Sequence, residues 1–302
     1  MDERKTLDAR ASGLMIGLCM IWGLQQVILK MAAPDISPLM QIALRSGLAA
    51  ILLLPLLYLD KAAELFNRQN LQAGALVAFL FSLEFFLLAQ ALQWTSASHA
   101  VVLLYTAPIF VALGLHWKLP AERLSWLQWS GIALAFIGIV VTFIRGQSGT
   151  ASAIEQQMLW GDLLALAAGI AWAATTITVR LSSLAQAAVT QTLFYQLAGS
   201  FILLFGLAVF LGQASIHFTP LVIGSLAFHT LVVSFASFLA WFWLLRNYLA
   251  SRLGVFSFLT PLFGIIFGVW LLDERIEPNF ILGSILVLVG IVVVSLQGWL
   301  RK

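Results

Sequence analysis

Ten apolar runs, each of about 20 residues, follow one another with only short connectors between them. They occupy residues 12–31, 38–59, 71–92, 97–117, 125–144, 159–180, 187–211, 219–243, 251–272 and 279–299. An apolar stretch of about 20 residues spans the hydrocarbon core of a bilayer as a helix. The expected fold is therefore an all-α integral membrane protein of ten transmembrane helices in contact with the lipid bilayer. Composition agrees: 61% of the 302 residues are hydrophobic and 10% are charged, where a soluble domain runs near 45–50% and 25%. The longest connector, near Arg145 to Met158, is polar and Gly/Ser-containing and reads as a loop. A net charge of +3 gives no hint of nucleic acid, and a single cysteine, Cys19, excludes an intrachain disulfide. Residues 2–10 are mixed in charge and the run that follows is long enough to span, so no removable signal peptide is expected.

The runs also repeat. Trp22 is followed by Gln25, Gln26 and Lys30; Trp172 is followed at the same offsets by Thr175, Thr176 and Arg180. On a helix these offsets share one face. Polar side chains embedded in apolar helices face a bundle interior or a water-filled cavity, so the two copies are read as matching walls of one pathway. The competing explanation is interfacial anchoring of Trp and Lys/Arg at helix ends. Further on, Ala97-Ser98, Pro108, Glu122-Arg123, Gly131 and Gly138 correspond in order to Ala250-Ser251, Pro261, Glu274-Arg275, Gly283 and Gly290. The chain thus reads as a five-helix unit used twice, residues 1–150 and 151–302. Five is odd, so the second unit enters the membrane from the opposite side. Inverted repeats mark transporters, with the substrate site near the midplane between them, although channels carry them too. With both termini cytoplasmic, twelve of the sixteen Lys and Arg fall on the cytoplasmic side. Lys30, Arg145 and Arg275 fall on the other, and Arg45 lies within the second span.

The early Trp22…Lys30, the Ala-Ser starts of spans four and nine, the two prolines, the two Glu-Arg pairs and the late glycines together resemble the drug/metabolite transporter superfamily, EamA-type branch. The resemblance covers essentially the whole chain. Within that branch the chain resembles YddG-type exporters of aromatic and other amino acids. The resemblance implies a monomeric ten-helix basket that alternates access across the bacterial inner membrane and exports small metabolites, amino acids in particular. It also implies a cavity lined by spans one, three, four, six, eight and nine.

Several residues carry a reading of their own. Thr230, Ser234, Ser237 and Trp241 on span eight form one stripe at α-helical spacing; their hydroxyls line the pathway or bond a helix. His229 beside them reads as a packed, hydrogen-bonded histidine, with proton carriage as the alternative. Ser98, His99 and Tyr105 on span four, with Trp94 before them, supply polar and aromatic wall; Trp94 is equally an interfacial residue. Glu84 is expected to be the only acid well inside a span, with Arg45 as its partner. A structural charge pair or a lipid-shielded polar contact is favoured over proton coupling at Glu84. Lys30 and Arg180 attract a substrate carboxylate or snorkel to the headgroups. Pro108 and Pro261 are expected to kink their spans as gates or hinges. The small-xxx-small pairs Gly264/Gly268 and Gly13/Gly17 fit close packing within the monomer or dimerisation.

An enzyme is not expected. His99, His116, His217 and His229 show no HExxH spacing, and neither a GxSxG motif nor a phosphate-binding loop is present. No metal and no cofactor are expected. A channel needs a selectivity device such as a ring of charges or carbonyls, which Trp, Gln and Thr walls do not obviously supply. The remaining alternative is a proton-coupled exporter of drugs, nucleobases or other metabolites. Walls of Trp22, Trp94, Tyr105, Trp172 and Trp241 with Gln25, Gln26, Thr175, Thr176 and Thr230 favour broad recognition of neutral amphipathic amino acids, because neutral contacts leave no unpaired buried charge in the empty carrier.

Overall fold

The computed structural model describes residues 8–59, 67–118, 124–143, 153–248, 257 and 259–300. The side chains of 143, 153–155, 242, 245, 246 and 294–300 lie outside that description. So do the Glu122-Arg123 pair and the Ala250-Ser251 start of span nine. Helices dominate: α1 (Ala9–Met31), α2 (Pro38–Leu59), α3 (Arg68–Trp94), α4 (Ala97–Leu104), α5 (Ala107–Lys118), α6 (Trp126–Phe143), α7 (Ala153–Leu181) and α8 (Val189–Phe210). They continue as α9 (Pro220–Ala227), a π-helical segment (Phe228–Ser237), α10 (Phe238–Asn247), α11 (Leu259–Leu272) and α12 (Pro278–Leu300). Among the described residues the sole strand pairing is an isolated antiparallel bridge, Ile36 with Ile216. Among the described residues seven helical stretches are long and apolar enough to cross a membrane, with Ala97–Lys118 and Pro220–Trp241 each counted as one; Trp126–Thr142, Leu259–Leu272 and Pro278–Val293 are shorter apolar helices.

Helix starts follow local chemistry. The Asp8 carboxylate accepts from Ala11 N–H at 2.7 Å, the Ser96 hydroxyl from His99 N–H at 3.0 Å and the Thr219 hydroxyl from Val222 N–H at 3.3 Å. Each satisfies an amide that the first turn leaves without a partner.

Two runs depart from a plain helix. The run 97–117 breaks rather than kinks: α4 ends at Leu104, and Tyr105 and Thr106 form a turn before α5. Pro108 is the second residue of α5. It has no N–H for the carbonyl one turn back and its ring clashes there, so the chain interrupts just upstream. Ile109 N–H then restarts the ladder on the Thr106 carbonyl at 2.9 Å. Pro261 is the third residue of α11, in a first turn where proline is tolerated. It therefore does not kink the described helix. The proline that does sit inside a helix is Pro55 of α2. In the run 219–243, ten residues are π-helical, which shifts every phase relation drawn at α-helical spacing. Thr230, Ser234 and Ser237 are nonetheless all buried.

Glycines set the closest helix crossings. α6 lies on α12, α2 on α8, α3 on α7, α1 on α11, and α4 and α5 on α7, while α4 also meets α11. On the α6/α12 seam a Cβ added to Gly290 would lie 2.5 Å from the Gly131 carbonyl oxygen. One added to Gly138 would lie 2.7 Å from the Gly283 carbonyl oxygen. Gly23 of α1 backs onto Gly264 of α11, whose own face meets Val101 of α4. The Gly264/Gly268 pair is thus a packing seam, whereas a Cβ at Gly13 or Gly17 meets nothing within 4 Å among the described residues.

Candidate functional site

Among the described residues two polar clusters stand out, one buried in the middle of the bundle and one partly exposed at its end. The first is central and draws on α1, α2, α3, α9 and the π segment. Gln25, Gln26, Gln41, Arg45, Ser46, Glu84, Ser225, His229, Thr230 and Ser234 are each no more than 8% exposed. Gln41 holds three elements together: its amide donates to the carbonyls of Leu29 (3.1 Å) and Ile36 (3.2 Å), and its oxygen accepts from the Ser225 hydroxyl at 2.7 Å. His229 places Nδ1 2.7 Å from the Ser225 carbonyl oxygen and Nε2 3.1 Å from the Gln25 carbonyl oxygen, tying the π segment to α1. The expected packed histidine is what the geometry shows. Gln25 donates to its neighbour Gln26 at 3.3 Å.

Aromatic pairs flank this centre, joining residues from the first and second halves of the chain. Trp22 meets Trp241 edge to face at 5.8 Å, and its N–H donates to the Ser237 hydroxyl at 3.0 Å. Tyr105, at the α4/α5 break, meets Trp172 edge to face at 5.2 Å. Trp94 joins neither pair; it is 46% exposed at the end of α3. Thr175 and Thr176 donate back into their own helix, to the carbonyls of Ala171 (3.0 Å) and Trp172 (3.1 Å).

Arg45 and Glu84 are both buried, but no nitrogen–oxygen contact within 4.0 Å joins them; among the described residues the ion pairs are those of His99. The Arg45 guanidinium carbon instead lies 4.6 Å over the Phe85 ring. The direct charge pair expected from the sequence is therefore not formed in this structure.

The second cluster closes the end of the bundle where α1, α3 and α11 stop and α4 begins. Asp273 adopts φ 52°, a left-handed conformation that Asp tolerates. This turn ends α11 and aims Glu274 at the start of α4. There its carboxylate accepts from Ala97 N–H (2.6 Å), Ser98 N–H (3.0 Å) and the Ser98 hydroxyl (2.6 Å). A carboxylate at a helix N-terminus satisfies free amides and complements the helix dipole. His99 Nδ1 lies 3.1 Å from both Asp162 oxygens and Nε2 3.3 Å from Glu277, with its ring stacked on Phe280 at 3.8 Å. The Thr95 hydroxyl donates to Asp162, and the Lys30 ammonium donates to the Thr95 carbonyl. Ser98 and His99 thus belong to this end cluster. Ser98 is seven residues from Tyr105, about 10 Å along a helix axis. Lys30 is engaged with the end of α3, whereas Arg180 is exposed. At the opposite end the Tyr248 hydroxyl donates to Asp8 at 2.8 Å.

Sequence reasoning missed Gln41, Ser225, Asp162 and Glu277. Asp162 carried a usable signal: it is an acid within the apolar run 159–180, and it is 1% exposed, so Glu84 is not alone as a buried acid. An open apolar groove of about 360 Å³ between α1, α9 and α11, lined by Leu24, Ile28 and Leu271 among others, contains none of the expected site residues. Among the described residues no group of three His, Cys, Asp or Glu is placed to hold a metal ion.

Residues 10–144 and 159–296 each match the model of the EamA-like transporter family. A Bacillus subtilis protein described as the uncharacterized transporter YoaV is 26% identical over 278 residues, covering 92% of this chain and 94% of that one. A probable amino-acid metabolite efflux pump of Escherichia coli K12 is 26% identical over 286 residues, covering 92% of each chain. One protein crystal structure shares the fold with a TM-score of 0.67 at 16% identity, covering 98% of this chain and 100% of that one.

Proposed function

We propose a function from one premise: the chain belongs to the EamA-like transporter family and is an integral membrane transporter of small molecules. The finer reading is export of amino acids, aromatic ones included, by alternating access across a bacterial inner membrane. The observation that carries it is the buried polar centre with its two aromatic pairs, to which both matched segments contribute. Trp22, Gln25 and Tyr105 come from the first, and Trp172, His229 and Trp241 from the second. Amphipathic walls of this kind suit a substrate that is polar at one end and apolar at the other. The efflux-pump description of the Escherichia coli relative points the same way.

The architecture in this reading is two inverted five-helix repeats, residues 1–150 and 151–302, in a monomer with cytoplasmic termini. The glycine seam supports it. Gly131 corresponds to Gly283 and Gly138 to Gly290 by sequence, while the contacts run Gly131 to Gly290 and Gly138 to Gly283. Exchanging the repeats maps each contact onto the other, as a two-fold axis between α6 and α12 requires. The α1/α11 contact exchanges in the same way with the contact of α7 with α4 and α5. Thr95 and Tyr248 correspond in the two repeats and their partners Asp162 and Asp8 lie about one helical turn from correspondence, and breaking one bond while keeping the other is the motion that alternates access. The turn before Pro108 is the hinge in this motion.

Proteoliposome counterflow of radiolabelled amino acids tests the reading. Several neutral amino acids should compete, aromatic ones at least as well as small ones, since one methylene in an apolar pocket discriminates by only about 1–3 kcal/mol. Competition solely by nucleobases or cationic drugs would refute the substrate class, and labelling of a cysteine at position 302 from the outside would refute the topology.

A further inference from the structure

The neutral polar side chains of the centre are largely occupied with one another. The Gln25 amide is turned to Gln26, Gln41 to two carbonyls and Ser225, and the Thr175 and Thr176 hydroxyl protons to their own helix. Buried side-chain atoms without a protein partner number eight among the described residues. Three of them, Arg45 Nε, Arg45 Nη1 and Glu84 Oε2, belong to two charged residues, and a fourth is the Thr230 hydroxyl of the π segment. Arg45 is 3% exposed and Glu84 5%. Their charges are close enough to interact, yet no contact within 4.0 Å joins them. Phe85 holds the guanidinium from one side.

A structural ion pair would close its own hydrogen bonds, because an imperfectly paired buried charge costs more than the attraction returns. Charged side chains inside membrane bundles mark substrate or ion paths. Here the open hydrogen-bonding positions are of opposite sign: donors on α2 and an acceptor on α3. We infer that Arg45 and Glu84 form a head-group site for a zwitterionic α-amino acid, Arg45 donating to its carboxylate and Glu84 accepting from its ammonium. This rests on the amino-acid export reading and goes further, because it requires both charges on one ligand. A zwitterion brings one opposite charge to each residue, so the loaded site is neutral overall and each charge is hydrogen-bonded. The aromatic pair Tyr105–Trp172 and the Trp22–Trp241 pair then face the ligand's side chain.

The test uses the full chain in proteoliposomes, with L-phenylalanine, phenethylamine (ammonium alone) and 3-phenylpropanoate (carboxylate alone) competing against counterflow of labelled L-phenylalanine. In the unchanged protein L-phenylalanine should compete at a concentration at least tenfold below either analogue. A charge-assisted hydrogen bond is worth roughly ten- to a hundredfold in affinity. Equal competition by either analogue overturns the inference, and this arm needs no variant to fold. Arg45→Gln should weaken L-phenylalanine and 3-phenylpropanoate at least tenfold and spare phenethylamine; Glu84→Gln should weaken L-phenylalanine and phenethylamine and spare 3-phenylpropanoate. Loss of all three ligands together, or of none, means the two residues serve the scaffold and overturns the head-group site while export stands. No counterflow of any amino acid by the unchanged protein removes both the export reading and this site.

Discussion

The glycine seam between α6 and α12 gives a prediction whose sign can be worked out in advance. In Gly290→Ala the new methyl group would stand 2.5 Å from the Gly131 carbonyl oxygen, 2.7 Å from the Ala135 amide nitrogen and 2.7 Å from Ala135 Cβ. Two of those three atoms are backbone, so no rotamer can move them aside. Restoring a separation of 3.4 Å from the carbonyl oxygen means opening the crossing by about 0.9 Å. A gap of ~0.5–1 Å forfeits a quarter to a half of each dispersion well along the contact, and forced overpacking costs about 1–3 kcal/mol. Replacing a helical Gly by Ala returns about 0.5–1 kcal/mol. The net expectation is a destabilisation of up to about 2.5 kcal/mol. Gly13→Ala, where the methyl group meets nothing within 4 Å among the described residues, keeps only the favourable part and should stabilise by about 0.5–1 kcal/mol. Thermal melting of the two purified variants in one detergent, followed by fluorescence-detected size exclusion, reads both signs. If Gly290→Ala melts at or above the unchanged protein, the seam is not the close crossing described.

Tyr105→Ala and Trp172→Ala should each reduce counterflow without loss of expression. Their double variant should fall short of additivity by about 0.5–1.5 kcal/mol, the worth of an edge-to-face pair; full additivity would separate the two rings functionally. Asp162→Asn removes the charge that faces His99 and receives the Thr95 hydroxyl, and should cost about 1.5–3 kcal/mol in melting experiments. Added to His99→Ala it should cost little more, and an undiminished second loss would show that the two do not act together. Gln41→Leu strands two backbone carbonyls and the Ser225 hydroxyl at once and should destabilise by about 1–3 kcal/mol, whereas a neutral outcome would remove Gln41 as a tie between α1, α2 and α9.

Helix positions were the most legible part of the sequence, because a bilayer-length apolar run leaves the backbone one local solution. The run 38–59 coincides with α2 (Pro38–Leu59), and most others match within a few residues. What a one-dimensional pattern does not carry is where a helix changes its own geometry. Pro108 announces a disturbance, but whether it bends or breaks the helix depends on what Tyr105 and Thr106 pack against. Nothing at Phe228–Ser237 announces π winding, since the same apolar and hydroxyl residues occur in ordinary α-helices. In the site, the Trp22 and Trp172 motifs marked one ring of each aromatic pair, but that Trp22 meets Trp241 and Trp172 meets Tyr105 was not legible in the spacing. Partners were harder to read. His99 and Ser98 looked like cavity wall from their spacing to Tyr105, yet their company is Asp162, Glu274 and Glu277, which lie 63 to 178 residues away. Arg45 and Glu84 were legible as buried charges but not as an unjoined pair, which is a matter of a few ångströms between two helices.

The π segment bears on length as well as on phase. Ten residues of α-helix would measure about 15 Å, and winding with one more residue per hydrogen-bonded ring packs the same ten into a shorter, wider coil. Phe228–Ser237 therefore stores axial slack in the middle of a membrane helix. Rewinding it as α-helix would break no net number of backbone bonds, yet it would push α10 away along its axis and rotate Trp241 off Trp22. In such a rewinding, length and the identity of the facing side chain would change together. One deleted residue there should be absorbed by the winding, where the same deletion in α12 would drag Gly283 and Gly290 out of register with their partners.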